Sequence, residues 1–408
     1  MRGRKGGRVE RFAGGFEARG DSGVIALKGR VVTDYEVWDE GVVLVRDGTI
    51  HDVLPDRLSL PGDVQVHDYG EALILPGFVD LQVNGAFGTD VVTDPNALAK
   101  LSGELLSTGV TSYLPTVITS PVSRYEEVLP TLAGAMDREG NAGAEPLGLH
   151  LEGPFIDLRH RGAHPAASVL APDPGLLEAL LDLAPVRLVT LAPEKEGSET
   201  LMELARNRGV VVSAGHTDAN FDAAYVTLDR YAASVTHLFN AMSPLHHRAP
   251  GLVGAAFAHP RVVCGLIADG RHVHPEMVAL VFRMLGPDRV YLVTDSISAA
   301  GMGAGEYALA SRRVYVEEGG VPRLGSGVIA GSVLTMGEAF KNILAFTSCT
   351  LPEAARMVAS TPARLIGEGR RKGRLMPGFA ADITVLGPDL HVRSVWKAGR
   401  RVYGADTV

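Results

Sequence analysis

Cysteine is nearly absent from this chain of 408 residues, which carries only Cys264 and Cys349. Two cysteines cannot build the disulfide framework of a small secreted scaffold, so they read as buried thiols of a reducing, cytoplasmic compartment. Long hydrophobic runs are missing too. Although 46% of the residues are hydrophobic, no stretch approaches the roughly 20 apolar residues of a membrane helix. A basic excess is also lacking: Lys and Arg number 39 against 47 Asp and Glu, for a net charge of −8. Nucleic acid is therefore excluded as a partner, because it calls for a basic face. An anionic small molecule is not excluded, since a local pocket of Arg and His can oppose the net charge. No G-x-G-x-x-G follows a strand-like run, which argues against an open dinucleotide-binding sheet.

What the chain does have is a change of rhythm along its length. Near the start, Val24-Ile25-Ala26-Leu27, Val42-Val43-Leu44-Val45 and Val64-Gln65-Val66 read as short strands, with Asp47-Gly48 as a hairpin turn. The texture returns near the end, in Ile383-Thr384-Val385-Leu386 and Val392-Arg393-Ser394-Val395-Trp396, with a turn at Ala398-Gly399. Between them, eight apolar runs alternate with helical spacing: Phe78 to Val83, Ser112 to Pro115, Leu147 to Leu151, Val186 to Leu191, Val210 to Ser213, Ala233 to Thr236, Val262 to Ile267 and Val290 to Val293. Alternating strands and helices make parallel βα units, and eight of them predict an α/β fold, a (β/α)8 TIM-like barrel. The expected organisation is a disordered tail over 1–22, a small β-sandwich domain assembled from both chain ends (23–75 and 376–408), and the barrel over 76–375. The tail expectation rests on six Arg or Lys among the first 20 residues, with little apolar patterning.

Barrel chemistry sits at the C-terminal ends of the strands, and several runs end on polar residues. The third leads to Glu152, the fifth to His216, the sixth to His237 and the eighth to Asp295. Each alone has a structural reading: a lone histidine as a hydrogen-bonded core residue, Asp295 as a helix cap. Together, one carboxylate and two imidazoles make a common catalytic zinc set with a position left for water or substrate. Asp295 beside them is placed to act as general base and acid. The first run ends in Gln82-Val83-Asn84, where many barrel hydrolases carry His-x-His for a second metal. An amide pair is a poor ligand set, so one divalent metal per subunit is expected. Zinc leads, with Fe, Mn or Co also suited to such donors. Lys195 is read as a solvated charge rather than a bridging ligand.

These motifs carry a family resemblance. Pro76-Gly77-Phe78-Val79-Asp80-Leu81-Gln82-Val83-Asn84-Gly85 resembles the opening barrel strand of the amidohydrolase superfamily. His150-Leu151-Glu152-Gly153-Pro154-Phe155, Ala214-Gly215-His216-Thr217, Thr236-His237-Leu238-Phe239-Asn240-Ala241-Met242 and Val293-Thr294-Asp295 are similar to later motifs of its N-acetylglucosamine-6-phosphate deacetylase branch. So are Gly331-Ser332 and the closing Pro377-Gly378-Phe379-Ala380-Ala381-Asp382. The likeness runs from about residue 24 to 404.

The resemblance implies removal of an acetyl group from a phosphorylated amino sugar. It places Gln82 and Asn84 among the substrate-binding residues, and His164 at the sugar and acetyl carbonyl. Asn240 and Ala241 offer backbone to the phosphate, Arg248 binds it, and His272 reaches it from the neighbouring subunit of a homodimer. Arginine suits this task because its rigid fork binds phosphate oxygens two at a time. Two rivals remain: the same chemistry on another N-acyl amino sugar phosphate or a cyclic amide, and a non-catalytic barrel protein.

Overall fold

The computed structural model describes residues 23–55, 64–137 and 142–404; the expected tail over 1–22 lies outside them. All eight apolar runs form strands of one parallel sheet: Phe78–Val83, Val110–Ile118, Leu149–Glu152, Val186–Leu191, Val211–Ala214, Ser234–Val235, Val263–Leu266 and Val290–Leu292. They are almost wholly buried, which is why they read as continuous apolar runs rather than alternating ones. A helix follows each strand, from Leu98–Leu105 after the first to Met336–Phe346 after the eighth. Side-chain caps start several of them. Asp173 accepts from Leu176 N–H, Asn220 from Ala223 N–H, and Thr335 with Glu338 forms a capping box.

The first and eighth strands do not pair along a ladder, and a polar seam closes the barrel between them. Asn84 N–H donates to the Ser296 carbonyl at 2.9 Å. One turn lower, Asp80 accepts Thr294 Oγ1–H at 2.6 Å and Thr294 N–H at 3.3 Å. Asp80 is fully buried. That burial pushes its carboxyl up to about 7, against the pull of the Thr294 hydrogen bonds.

The chain ends meet in one seven-stranded sheet. Ile25–Val32, Val37–Arg46, Thr49–Pro55 and Gln65–Pro76 come from the start, and Ile383–Leu386, Val392–Lys397 and Arg400–Tyr403 from the end. Strands from the two chain ends share one buried core. Val43, Val45 and Ile50 share a cluster with Phe379, Ile383 and Trp396, and Ile50 N–H donates to the Phe379 carbonyl at 2.8 Å. Both turns read from sequence are present, with left-handed pairs at Asp47-Gly48 and Ala398-Gly399. A three-stranded sheet, Gly305–Leu309, Arg312–Val316 and Arg323–Leu324, inserted between the eighth strand and its helix, has no counterpart in the sequence reading. Among the described residues, no helix is long and apolar enough to cross a membrane.

The seam predicts a pH signature. Asp80 titrates higher in the folded state than its ordinary 3.8, so its stabilising contribution is complete below that value and is lost as pH rises through about 7. Asp80→Asn keeps an acceptor for the backbone and a donor for Thr294. Between pH 5 and 8 the unaltered protein is expected to lose about 2–3 kcal/mol more stability than the variant, measured by urea unfolding. Parallel pH dependence in the two proteins would show that the seam is not protonated.

Candidate active site

The C-terminal strand ends converge as the barrel geometry requires. Glu152 ends the third strand, while His216, His237 and Asp295 follow the fifth, sixth and eighth. The last three all have left-handed backbone, with φ of 46°, 29° and 48°. This conformation is unusual for residues bearing a side chain and clusters at functional sites. It lets the chain turn sharply off the strand and point the side chain back over the barrel axis. Gly215 permits one such turn, because a Cβ there would lie 2.9 Å from both Thr190 and Thr236 side chains.

Three donors face one point. His216 Nε2 lies 3.1 Å from Glu152 Oε1, His237 Nε2 lies 3.0 Å from the same oxygen, and the two Nε2 atoms are 3.1 Å apart. Three hydrogen bonds cannot explain this triangle, since a carboxylate has no proton and one ring proton serves a single contact. An ion shell does explain it. With metal–ligand bonds of about 2.0–2.1 Å, neighbouring donors of a tetrahedral set stand about 3.3 Å apart. The residues therefore fit a divalent metal. His216 Nδ1 donates to the His160 carbonyl at 2.9 Å, which fixes the tautomer that leaves the Nε2 lone pair free.

Acidity differs sharply across the cluster: against its burial, the neighbouring Glu152 carboxylate raises His237. Burial alone would raise Glu152, but the surrounding imidazoles of His164, His216 and His237 hold it well below the usual carboxylate range. Burial, then the nearby His164, lowers His216 to about 4, so its ring stays neutral. Asp295 is the opposite case: burial first, and the Glu152 charge second, push it up to about 6. Two carboxylates a few ångströms apart are thus separated in acidity, one a permanent anion and the other titrating near neutrality.

Beneath the donors runs a buried hydroxyl layer. His150 Nε2 meets Thr190 Oγ1 at 2.8 Å, Thr190 meets Thr236 at 2.7 Å, and Ser213 meets Thr236 at 2.6 Å. It ties the third, fourth, fifth and sixth strands one level below the site.

Above the donors opens a cavity of about 310 Å³, lined by Asn84, His164, Asn240, Ala241, His272 and Asp295 among others. Its polar floor faces apolar walls from Ile118, Ile267 and three residues of the inserted segment, Leu309, Val328 and Ile329. That size suits a small ligand.

Within the single chain, several of the expected residues take positions that the sequence did not indicate. Gln82 does not face the cavity. Its Nε2 donates to Glu152 Oε1 at 2.9 Å and Asp295 Oδ1 at 3.1 Å, and Asn84 Nδ2 donates to Asp295 Oδ1 at 2.8 Å. The amide pair braces the two carboxylates, and only Asn84 also reaches the cavity. His272, expected to serve a neighbouring subunit, points into its own chain's cavity, held by Asp269 Oδ2 at 2.6 Å from its Nδ1. Arg248 lies on an exposed loop and does not line that cavity. Lys195 is not a free surface charge, because it pairs with buried Asp157. Sequence reading placed Asp269 at the end of the seventh run but gave it no role, although its spacing of three from His272 is a usable signal. It missed Thr119, whose N–H and hydroxyl meet His164 Nδ1 at 3.3 and 2.8 Å.

A buried carboxylate–imidazole triangle with an adjacent titratable acid, at the mouth of a (β/α)8 barrel, defines a metal-assisted hydrolase. The chain belongs to the amidohydrolase family, whose sequence profile matches residues 73–402. It is 36% identical over 378 positions to an N-acetylgalactosamine-6-phosphate deacetylase of Escherichia coli O157:H7, spanning 92% of this chain and 98% of that one. It is 36% identical over 410 aligned positions to the N-acetylglucosamine-6-phosphate deacetylase of Homo sapiens, with 95% and 99% covered. Among solved structures, a mutant N-acetyl-D-glucosamine-6-phosphate deacetylase from Mycobacterium smegmatis, in complex with N-acetyl-D-glucosamine-6-phosphate, superposes with a TM-score of 0.87 at 31% identity. That match covers 93% of this chain and 99% of the other. Members of this family typically depend on a divalent metal, and Glu152, His216 and His237 form the cluster that can hold one, with ligand atoms all within 4.8 Å of one another.

The triangle implies a stability linkage. Stripping divalent metal with a chelator is expected to lower the melting temperature by several degrees, and adding metal back to restore it, since a ligand bound by the folded state alone stabilises it. An unchanged melting temperature in demonstrably metal-free protein would count against the cluster as an ion site.

Proposed function

We propose that this protein hydrolyses the acetamide of N-acetylglucosamine 6-phosphate, releasing acetate and glucosamine 6-phosphate. The carrying observation is the donor triangle with Asp295 beside it, in a cavity that opens onto His164 and His272. The names of the relatives at 36% identity support the substrate class. Because one of these acts, by its name, on the galactosamine epimer, N-acetylgalactosamine 6-phosphate is the second reading.

One divalent ion, zinc by preference, would be held by Glu152, His216 and His237. When bound, it supplies the positive charge that acidifies water and polarises a carbonyl. Everything else falls to the chain's own groups. Asp295, ionised above about pH 6, takes a proton from the attacking water. It returns that proton to the amide nitrogen as the C–N bond breaks, and the water oxygen remains in the acetate. Both Thr119 groups face His164 Nδ1, which leaves the ring proton on Nε2, available to the developing oxyanion. Gln82 holds Glu152 and Asp295 in mutual register. Asn240, Ala241 and His272 form the end of the cavity that receives the phosphate.

The protein acts in the cytoplasm as a homodimer. In that arrangement the group one copy can lend its partner is Arg248 on its exposed loop, while His272 serves its own site.

Four measurements test this reading. Acetate release is expected from the phosphorylated sugars and not from unphosphorylated N-acetylglucosamine, with about one metal per chain; no turnover of either epimer by metal-loaded protein would refute the substrate. Asp295→Asn is expected to cut kcat by about 10²–10⁴-fold while metal stays bound. In the unaltered enzyme kcat/KM should fall as pH drops through about 6, because the base is then protonated. Finally, Arg248→Ala and Asp295→Asn chains, each weak alone, are expected to regain activity when co-expressed, since a hybrid dimer holds one site with both groups. No recovery would place Arg248 outside the neighbouring site.

A further inference from the structure

We propose that Lys195 is a positioning residue for His216, acting through Asp157 and the backbone of the loop that follows the third strand. The proposal rests on the reading above only in taking His216 as a metal ligand.

His216 is gripped twice by one short segment. Asp157 N–H donates to the His216 carbonyl at 2.8 Å, and the His160 carbonyl accepts from His216 Nδ1 at 2.9 Å. Backbone and ring are therefore fixed by residues three apart, on a residue whose backbone is left-handed and must be held in place. The segment keeps its shape through the Asp157 carboxylate. Asp157 Oδ1 accepts from Arg159 N–H at 2.8 Å and His160 N–H at 3.2 Å, which turns the chain so that the His160 carbonyl faces the imidazole.

That carboxylate is buried, its side chain 3% exposed, and Lys195 Nζ pairs with its other oxygen, Oδ2. Arg159 Nε approaches Oδ1 at 3.6 Å, but its own side chain is 72% exposed and its Nη2 is committed to Asp218. Lys195 is the close counter-charge, and without it a buried anion would be left largely uncompensated. Such a group costs several kcal/mol or pulls its segment toward water.

Lys195 reaches in from the loop after the fourth strand, and its neighbour Glu194 braces the other side of the same histidine. Glu194 accepts from Asp218 N–H at 2.8 Å and from the Thr217 hydroxyl. His160 closes the circuit, its Nε2 lying 3.0 Å from Asp218 Oδ1. Loops after three consecutive strands thus clamp one ligand, and the Lys195–Asp157 pair is the joint between two of them. Groups that orient a ligand histidine in this way tune metal affinity by about 10–100-fold.

The test is the zinc affinity of the full-length protein, by competition with a chromophoric chelator, alongside kcat at saturating zinc. Lys195→Met is expected to bind zinc about 10–100-fold more weakly, with kcat near normal once zinc saturates. Lys195→Arg is expected to keep normal affinity. The double variant Asp157→Asn/Lys195→Met carries no buried charge and retains the acceptor of the turn, so its affinity is expected to return close to normal. This variant also decides the matter if Lys195→Met does not fold. Unchanged affinity in folded Lys195→Met, or weak binding by the folded double variant, would overturn the proposal. Loss of the deacetylase reading looks different: tight zinc binding in the unaltered protein without acetate release.

Discussion

The structure is organised around keeping one ionised carboxylate inside a barrel. Glu152 is 2% exposed, and a charge so placed is tolerated only when it is surrounded by opposite charge and donors. Its partners come from three other strand ends: Gln82 from the first, His216 from the fifth and His237 from the sixth. None is near it in sequence. Only a closed parallel sheet, with all C-terminal ends on one face, brings them within 3.1 Å. The same demand fixes local backbone, because the histidines and Asp295 turn inward through left-handed residues that surrounding hydrogen bonds must stabilise.

Support for the site is layered along the barrel axis. At the lowest level, hydroxyls and His150 join four strands. Burial holds His150 near 4, hence neutral, so this layer adds no charge beneath an already charged site. Above it lie the donors, and above those the cavity with its apolar walls. Asp80 and Thr294 do for the barrel's seam what the hydroxyl layer does for its interior, joining strands where no ladder exists.

The sequence displayed the barrel because its strands are buried on both faces and bounded by turn residues. It displayed the metal cluster because those ligands sit at repeated positions on strand ends, so an eightfold pattern points at them. Arg248 and His272 were a different matter. Both are loop residues in recognisable motifs, but which of them faces its own cavity depends on loop paths that no periodicity encodes. Lys195 looked like a surface charge because its partner lies 38 positions earlier and that pairing exists only in three dimensions. The inserted sheet escaped notice because its strands are short and half exposed, without the apolar density that marked the barrel.

The sheet built from both chain ends has a consequence in time. Pro76 pairs with Ile383 and Leu73 with Leu386, so the strand Gln65–Pro76 waits for a neighbour synthesised about 300 residues later. At about 5–20 residues per second, that interval on the ribosome is about 15–60 s. Meanwhile a long strand with an apolar end presents an unpaired edge, the kind of surface that recruits other chains. The growing chain thus carries an exposed strand edge from early in synthesis almost to the end.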